Sequence, residues 1–364
     1  MADWSGEHID RYTHDIRREP IAGDVFIRLL YGHLAVSAPG LVKCLSTSGM
    51  SRLLAFLAFK APWVAGSAEA FAHANEIRFD DIVGDPKALR TREQVFLRKV
   101  DYERFRPMPA DEVVVASVAD SKLIVGDLAD EPALFVKNRF LHLGDLLGLK
   151  KKWVDRFLGG HFAIFRLAPP DYHWFHTPVA GRVEDDFDLP GPLYSVNPWA
   201  VRSIAHVLSA NKRRVTILNT DVEDGTGVGH VAVIPVGAQV IGGIVPAYSD
   251  HAYDDPRKPV VGDMLKRGQP MGYFEPGGST VVALFQKDRV AFAPDLLQLQ
   301  SREDVPSLYD AQLFGRRYTE VGVDARDVLA FRPDGVPTDR YGIGRGRVVE
   351  HVDGVWRVGG IGTE

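Results

Sequence analysis

Short runs rich in Val and Ile, bounded by Gly and Pro, dominate the middle of the chain: Val113–Val118, Leu123–Val125, Phe162–Leu167, Val215–Leu218, His230–Val236, Val240–Val245 and Thr280–Phe285. β-branched runs of this length, with turn residues between them, predict a β-rich domain over residues 106–300. Ahead of it, Phe26, Leu29, Leu30 and Leu34 recur at helical spacing, and residues 1–105 read as mainly helical, with Gly40, Gly49 and Pro62 as punctuation. Behind it, residues 301–364 form a polar extension with a hairpin predicted from Arg347–His351 and Val355–Val358 around Asp353-Gly354. The pattern predicts an α+β fold: an N-terminal helical region, then a β-rich domain of short, mostly antiparallel strands.

Composition narrows the class without naming a function. The chain has 364 residues, 45% hydrophobic and 25% charged, which fits a soluble globular protein with room for two or three structural units. A formal net charge of −5 gives no global basic field, so nucleic acid is not an expected partner. Cys44 is the only cysteine, which excludes an intrachain disulfide and fits a reducing compartment. The polar N-terminus does not read as a secretory signal. The uncharged stretch Leu29–Val42 has 14 residues, short of the roughly 18 that a membrane span needs.

One region stands out by charge. Between Val25 and Ala68 there is no Asp or Glu, while Arg28, Lys43, Arg52 and Lys60 are basic. A basic and apolar helical surface suits the interface of an anionic bilayer. The same pattern also suits a helical hairpin packed on its own core.

Three motifs carry possible chemistry. In Gly277-Gly278-Ser279-Thr280, two glycines permit a turn with positive φ, which can present a hydroxyl and can set the Gly278 carbonyl within its reach. Taken alone, such a turn before a strand is usually only a turn. His173 and His176 lie in the aromatic stretch Asp171-Tyr172-His173-Trp174-Phe175-His176, and imidazoles move protons near neutral pH. No Cys or acidic cluster with ligand spacing accompanies them, so no metal is expected. Asp120 follows the strand predicted at Val113–Val118, where a carboxylate can orient a histidine or simply make a turn. The glycine-rich segments at 225–229 and 342–346 lack dinucleotide-binding spacing, and Asn211-Lys212-Arg213-Arg214 reads as a solvated basic loop.

Taken in order, these motifs resemble the phosphatidylserine decarboxylase family over about residues 8–295. Ile9-Asp10-Arg11, Gly23-Asp24 and Leu29-Leu30-Tyr31 look like the opening of its clostridial-type subgroup, and Asp120-Ser121-Lys122 like that subgroup's acidic motif. Phe135-Val136-Lys137, Leu146-Leu147-Gly148, Leu167-Ala168-Pro169, Asp171-Tyr172-His173 with His176, and Leu193-Tyr194-Ser195-Val196-Asn197-Pro198 follow. Asn211-Lys212-Arg213, Val236-Gly237-Ala238, Gly272-Tyr273-Phe274 and the Gly-Ser-Thr motif complete the series. Departures are Val118 where the family usually has Pro, a blurred Val95-Phe96-Leu97-Arg98, a longer acidic Asp221–His230 and a longer tail. They bear on substrate and membrane attachment and leave Asp120, His176 and Ser279 intact.

The resemblance implies a self-cleaving proenzyme. Asp120 would orient and charge-stabilise His176, and His176 would take the proton of Ser279 Oγ. The alkoxide would attack Gly278 C=O, and the resulting ester would eliminate to dehydroalanine, which hydrolyses to a pyruvoyl group and ammonia. The products would be a large fragment ending at Gly278 and a small one starting at residue 279. The pyruvoyl ketone would form a Schiff base with the substrate amine and act as electron sink for loss of CO2. His173 would protonate the carbanion or hold the departing carboxylate. The implied substrate is phosphatidylserine, the product phosphatidylethanolamine, and the setting a homodimer bound peripherally at the cytoplasmic face of the membrane, with residues 1–105 facing lipid. Two alternatives stay open: a decarboxylase of a free amino acid, such as an aromatic one, and an unprocessed relative without enzymatic activity.

Overall fold

The computed structural model describes residues 6–18, 67–109, 114–128, 141–196, 206–238, 243–277, 279–307 and 317–361, with positions 40, 45–47, 49–50, 53, 56–60, 111, 201 and 309. The expected helical stripe at Phe26–Leu34, most of the acid-free stretch, Phe135-Val136-Lys137, Asn197-Pro198 and Gly278 lie outside the described residues.

A ten-stranded sheet forms the frame. Its spatial order is β11 (Met264–Leu265), β7 (Gly181–Leu189), β8 (Arg213–Asn219), β9 (His230–Gly237), β13 (Ser279–Phe285), β5 (His161–Leu167), β4 (Ser121–Asp127), β15 (Val321–Val323), β1 (Glu7–Asp10) and β2 (Ile16–Arg18). Every pairing in it is antiparallel except β1 with β15. Three smaller sheets complete the fold. They are β10 (Ile244–Pro246), β12 (Pro270–Phe274) and β6 (Trp174–His176); β14 (Ala291–Phe292), β16 (Val328–Phe331) and β3 (Val115–Ala116); and β17 (Arg340–Ile343), β18 (Arg347–Val352) and β19 (Val355–Ile361). The fold is β-rich and mostly antiparallel, as the spacing of the Val and Ile runs predicts.

The central strands explain their own composition. All seven residues of β13 are buried, because apolar layers cover both faces of the sheet. Val281, Ala283 and Phe285 join the core that holds Phe165, Val233, Phe274 and Leu329. Val282 and Leu284 point the other way, into the core of Ile164, Ile234, Trp153 and Phe157. Each fully buried side chain of this size contributes about 1.5–3 kcal/mol, so the register of β13 is strongly held.

Both ends of the chain add strands to the main fold. The described helices before residue 106 are short, such as Ala68–Ala74 and Arg92–Phe96, and they are preceded by β1, which pairs in parallel with β15. The tail supplies β15 to the main sheet and packs Tyr341, Ile343 and Val349 onto its core. The hairpin around Asp353-Gly354 joins β18 to β19, with φ of +50° and +79° at those two residues, as a type I′ turn requires. The basic run at 211–214 is no solvated loop: Asn211, Arg213 and Arg214 are buried, and β8 begins at Arg213.

Candidate active site

Ser279 is the first residue of β13, paired with Leu167 of β5 on one side and Gly237 of β9 on the other. Gly277 enters the strand at φ +142°, a conformation that favours glycine. Ser279 is fully buried, and its Oγ has no hydrogen-bond partner among the described residues. An unpartnered buried hydroxyl costs about 1–3 kcal/mol, so its persistence calls for a chemical reason. Asn211 braces the neighbouring strand end. Its Nδ2 donates to Gly237 O at 2.9 Å and Tyr194 O at 2.7 Å, while Tyr194 N donates to its Oδ1 at 3.1 Å.

The two histidines stand on β6 and the turn before it. Asp171 shapes that turn: its carboxylate accepts from Ala168 N at 2.7 Å and from Lys122 Nζ at 2.9 Å. His173 is fully buried and donates from Nδ1 to Asp171 O at 2.9 Å, and its Nε2 has no partner among the described residues. Its ring lies over Phe96 with centroids 3.5 Å apart, so the blurred Phe96 stretch packs directly against the site. Phe274 N donates to His173 O at 3.0 Å, tying this turn to the strand that leads toward Ser279. Burial, reinforced by the Arg98 charge, pushes His173 well below the ordinary histidine range.

His176 is also fully buried. Gly268 O lies 2.9 Å from Nδ1 and Tyr172 OH 3.1 Å from Nε2. A carbonyl only accepts, so Nδ1 carries the proton. Burial lowers His176 to about 3; the Gly268 contact opposes that, and the Arg326 and Arg106 charges add to it.

Asp120 does not meet His176. Its carboxylate accepts from Arg106 Nε at 2.9 Å, Arg106 Nη2 at 2.7 Å and Ala325 N at 2.8 Å, while both nitrogens of His176 are engaged elsewhere. Arg106 also reaches Asp81 at 3.0 Å, so it clamps two acids together. Asp120, expected to orient and charge-stabilise His176, is held instead by a buried arginine. A polar cavity opens beside this clamp, with Asp120, Arg98, Lys122, Asp171 and Arg345 among its lining residues. Arg106, Tyr253 and Arg326 carry no local sequence signal; only long-range folding brings them here.

Acid sensitivity follows from the neutral rings. The unfolded histidines take up a proton near pH 6.5, and the folded ones resist it. Stability is complete above that pH and falls by about 1.4 kcal/mol per pH unit per ring as pH drops toward the depressed folded values. We expect urea unfolding of Ser279→Ala protein at pH 7.5, 6.5 and 5.5 to show this decline, with a shallower slope in the added presence of His173→Asn. Equal slopes would mean that His173 is not held neutral.

Among the described residues no helix is long and apolar enough to cross a membrane. Comparison with known proteins places these residues in a shared framework. The sequence profile described as phosphatidylserine decarboxylase matches residues 93–304, a span that includes Asp120, His173, His176 and Ser279. A phosphatidylserine decarboxylase proenzyme of Fusobacterium nucleatum subsp. nucleatum is 27% identical over 317 residues, covering 85% of this chain and 97% of its own length. The phosphatidylserine decarboxylase proenzyme 2 of rice, Oryza sativa subsp. japonica, is 35% identical over 232 residues, 63% of this chain, and the match covers 34% of the rice protein. A proenzyme of the same name from Chlamydia trachomatis serovar D is 32% identical over 225 residues, 62% of this chain and 69% of that protein. The match thus spans about a third of the rice relative and nearly all of the fusobacterial one. With 212 consecutive residues inside the family profile and Ser279 at the head of a central strand, the chain belongs to the phosphatidylserine decarboxylase family.

Proposed function

We propose that the chain is a self-cleaving decarboxylase that converts phosphatidylserine to phosphatidylethanolamine and CO2. The observation that carries this reading is Ser279, a buried hydroxyl without a partner among the described residues, set behind a positive-φ glycine at the head of a central strand. A pyruvoyl group made from Ser279 would supply an electrophilic ketone and an electron sink for decarboxylation. The residues fit its formation: Oγ makes no competing hydrogen bond among the described residues, and Gly277 bends the chain just before the bond to be cut.

Self-cleavage needs Ser279 to lose its hydroxyl proton, and His176 is the proposed acceptor. To act so, His176 exchanges its contact with Tyr172 for one with Ser279 Oγ. Asp120 then works at one remove, through the Arg106 clamp that shapes this corner. His173, neutral and with Nε2 unpartnered among the described residues, is suited to deliver or hold a proton at the substrate. Peripheral attachment to an anionic membrane through the acid-free, basic stretch 25–68, and a homodimer, complete the proposal.

A denaturing gel and a CO2 assay test it. Freshly purified protein should give two fragments and release CO2 from phosphatidylserine vesicles. His176→Ala should leave one uncleaved chain. His173→Ala should cleave at least in part and lose at least tenfold in decarboxylation. Activity confined to a soluble amino acid would replace the lipid substrate, and a single wild-type band without activity would overturn the reading.

A further inference from the structure

Beyond His176 runs a chain of hydroxyls that nothing so far explains. His176 Nε2 lies 3.1 Å from Tyr172 OH, Tyr172 OH lies 2.6 Å from Tyr253 OH, and Tyr253 OH lies 2.8 Å from Val100 O. Val100 N donates to Tyr253 OH at 3.0 Å. Tyr172 is fully buried, as are His176 and Val100.

The protons in this chain can be counted. Nδ1 of His176 must hold its proton for Gly268 O, and Val100 O and Gly268 O can only accept. With His176 neutral, three links (imidazole to Tyr172, Tyr172 to Tyr253, Tyr253 to Val100 O) share two hydroxyl protons. One link is then a contact between lone pairs. A proton added at Nε2 completes all three: Nε2–H donates to Tyr172, Tyr172 to Tyr253 and Tyr253 to Val100 O. Both phenol oxygens then use one donor and their acceptor sites, with Val100 N–H as the second donor to Tyr253.

We propose that Tyr172 and Tyr253 are positioning residues that form a proton-deficient chain and favour the cationic form of His176. They take the place that the resemblance gives to Asp120. The groups that oppose the cation are named by the packing. Arg326 stacks over the Tyr102 ring at 4.4 Å, Tyr102 meets the His176 ring edge-on at 4.9 Å, and Arg106 is held by Asp120. Burial and the Arg326 and Arg106 charges all disfavour an imidazolium, so the hydroxyl chain supplies the counterweight. After His176 has taken the Ser279 proton at Nε2, its return to Tyr172 holds that proton in the hydroxyl chain while the alkoxide acts, which rests on the proposed role of His176 as the base.

The test separates the two. In full-length Ser279→Ala protein with nitrogen-labelled histidine, NMR should find the neutral ring protonated on Nδ1. The ring should become cationic at a pH at least about one unit higher than in Ser279→Ala with Tyr253→Phe, a tenfold difference in proton affinity. Tyr253→Phe frees the Tyr172 proton for Nε2 and so favours the neutral ring. Tyr172→Phe, which removes the acceptor of Nε2–H, should shift the titration the same way and serves if Tyr253→Phe does not fold. In the cleavable chain, Tyr253→Phe should slow self-cleavage about tenfold. Unshifted titration in either phenylalanine variant that folds overturns the proposal, even if melting falls. A shifted titration with unchanged cleavage upholds the proton chain and overturns His176 as the base.

Discussion

Ser279→Ala protein runs as one uncleaved chain, releases no CO2 from phosphatidylserine, and melts at or above the temperature of a His176→Ala chain. Loss of activity follows from the chemistry: alanine has no nucleophile for the Gly278 carbonyl and no oxygen from which a ketone can be made. The stability result follows from the structure. Ser279 Oγ is buried and bonds to nothing among the described residues, so its removal breaks no hydrogen bond. An unsatisfied buried hydroxyl is worth about 1–3 kcal/mol of desolvation, and its deletion relieves some of that cost. The Cα of residue 279 keeps its partners Leu167 and Gly237. Differential scanning calorimetry and a denaturing gel on the same sample check both halves. Two fragments from Ser279→Ala would move the cut elsewhere, and a strong loss of stability would show that Oγ has a partner in solution.

Arg11→Ala costs about 3–5 kcal/mol of folding stability, the largest loss we expect from a position far from Ser279. Arg11 is fully buried just after β1. It donates to both oxygens of Asp295, at 2.7 and 2.8 Å, and to Val328 O at 2.5 Å, and it lies 3.1 Å from Asp327. Tyr12 OH donates to Asp327 at 2.8 Å, and Tyr341 OH donates to Asp295. Burial already pushes the Asp327 carboxyl up, with Arg11 opposing that rise. Without Arg11 two buried carboxyls lose their cation, and each must either stay charged in an apolar setting or take up a proton. Denaturant unfolding in the Ser279→Ala background measures the effect. A loss below about 1 kcal/mol would mean that water reaches the cluster.

What could be read from the chain alone follows a physical divide. Strands β5, β9 and β13 were legible because burial on both faces makes an unbroken apolar run, and the hairpin at Asp353-Gly354 because its turn needs two positive φ values. Strand β1 was not. It is four residues long with two charged ends, and its parallel partner lies more than 300 residues away, so no periodicity marks it. At the site, the motif residues His173, His176 and Ser279 were visible because their spacing is local. Their partners were not, since Arg106, Tyr253 and Arg326 reach the site through pairings such as Arg326 N with Ser117 O at 2.8 Å. Asp120 shows the limit most clearly: its residue type suits a histidine, yet a nearby arginine wins the carboxylate because charge-assisted, two-pronged bonds are stronger.

Strand β13 lies between β9 and β5, and β15 between β4 and β1. A cut before Ser279 would therefore leave the shorter piece woven into the longer one at two places in a single sheet. The halves could not drift apart without the whole core melting, so dilution would not inactivate the mature protein. The same weaving would make such a maturation one-way. Before the cut, folding is a search within one molecule; afterwards, an unfolded pair must find each other again while both expose strand edges that invite wrong partners. Such a protein has its best chance to fold before it cuts itself.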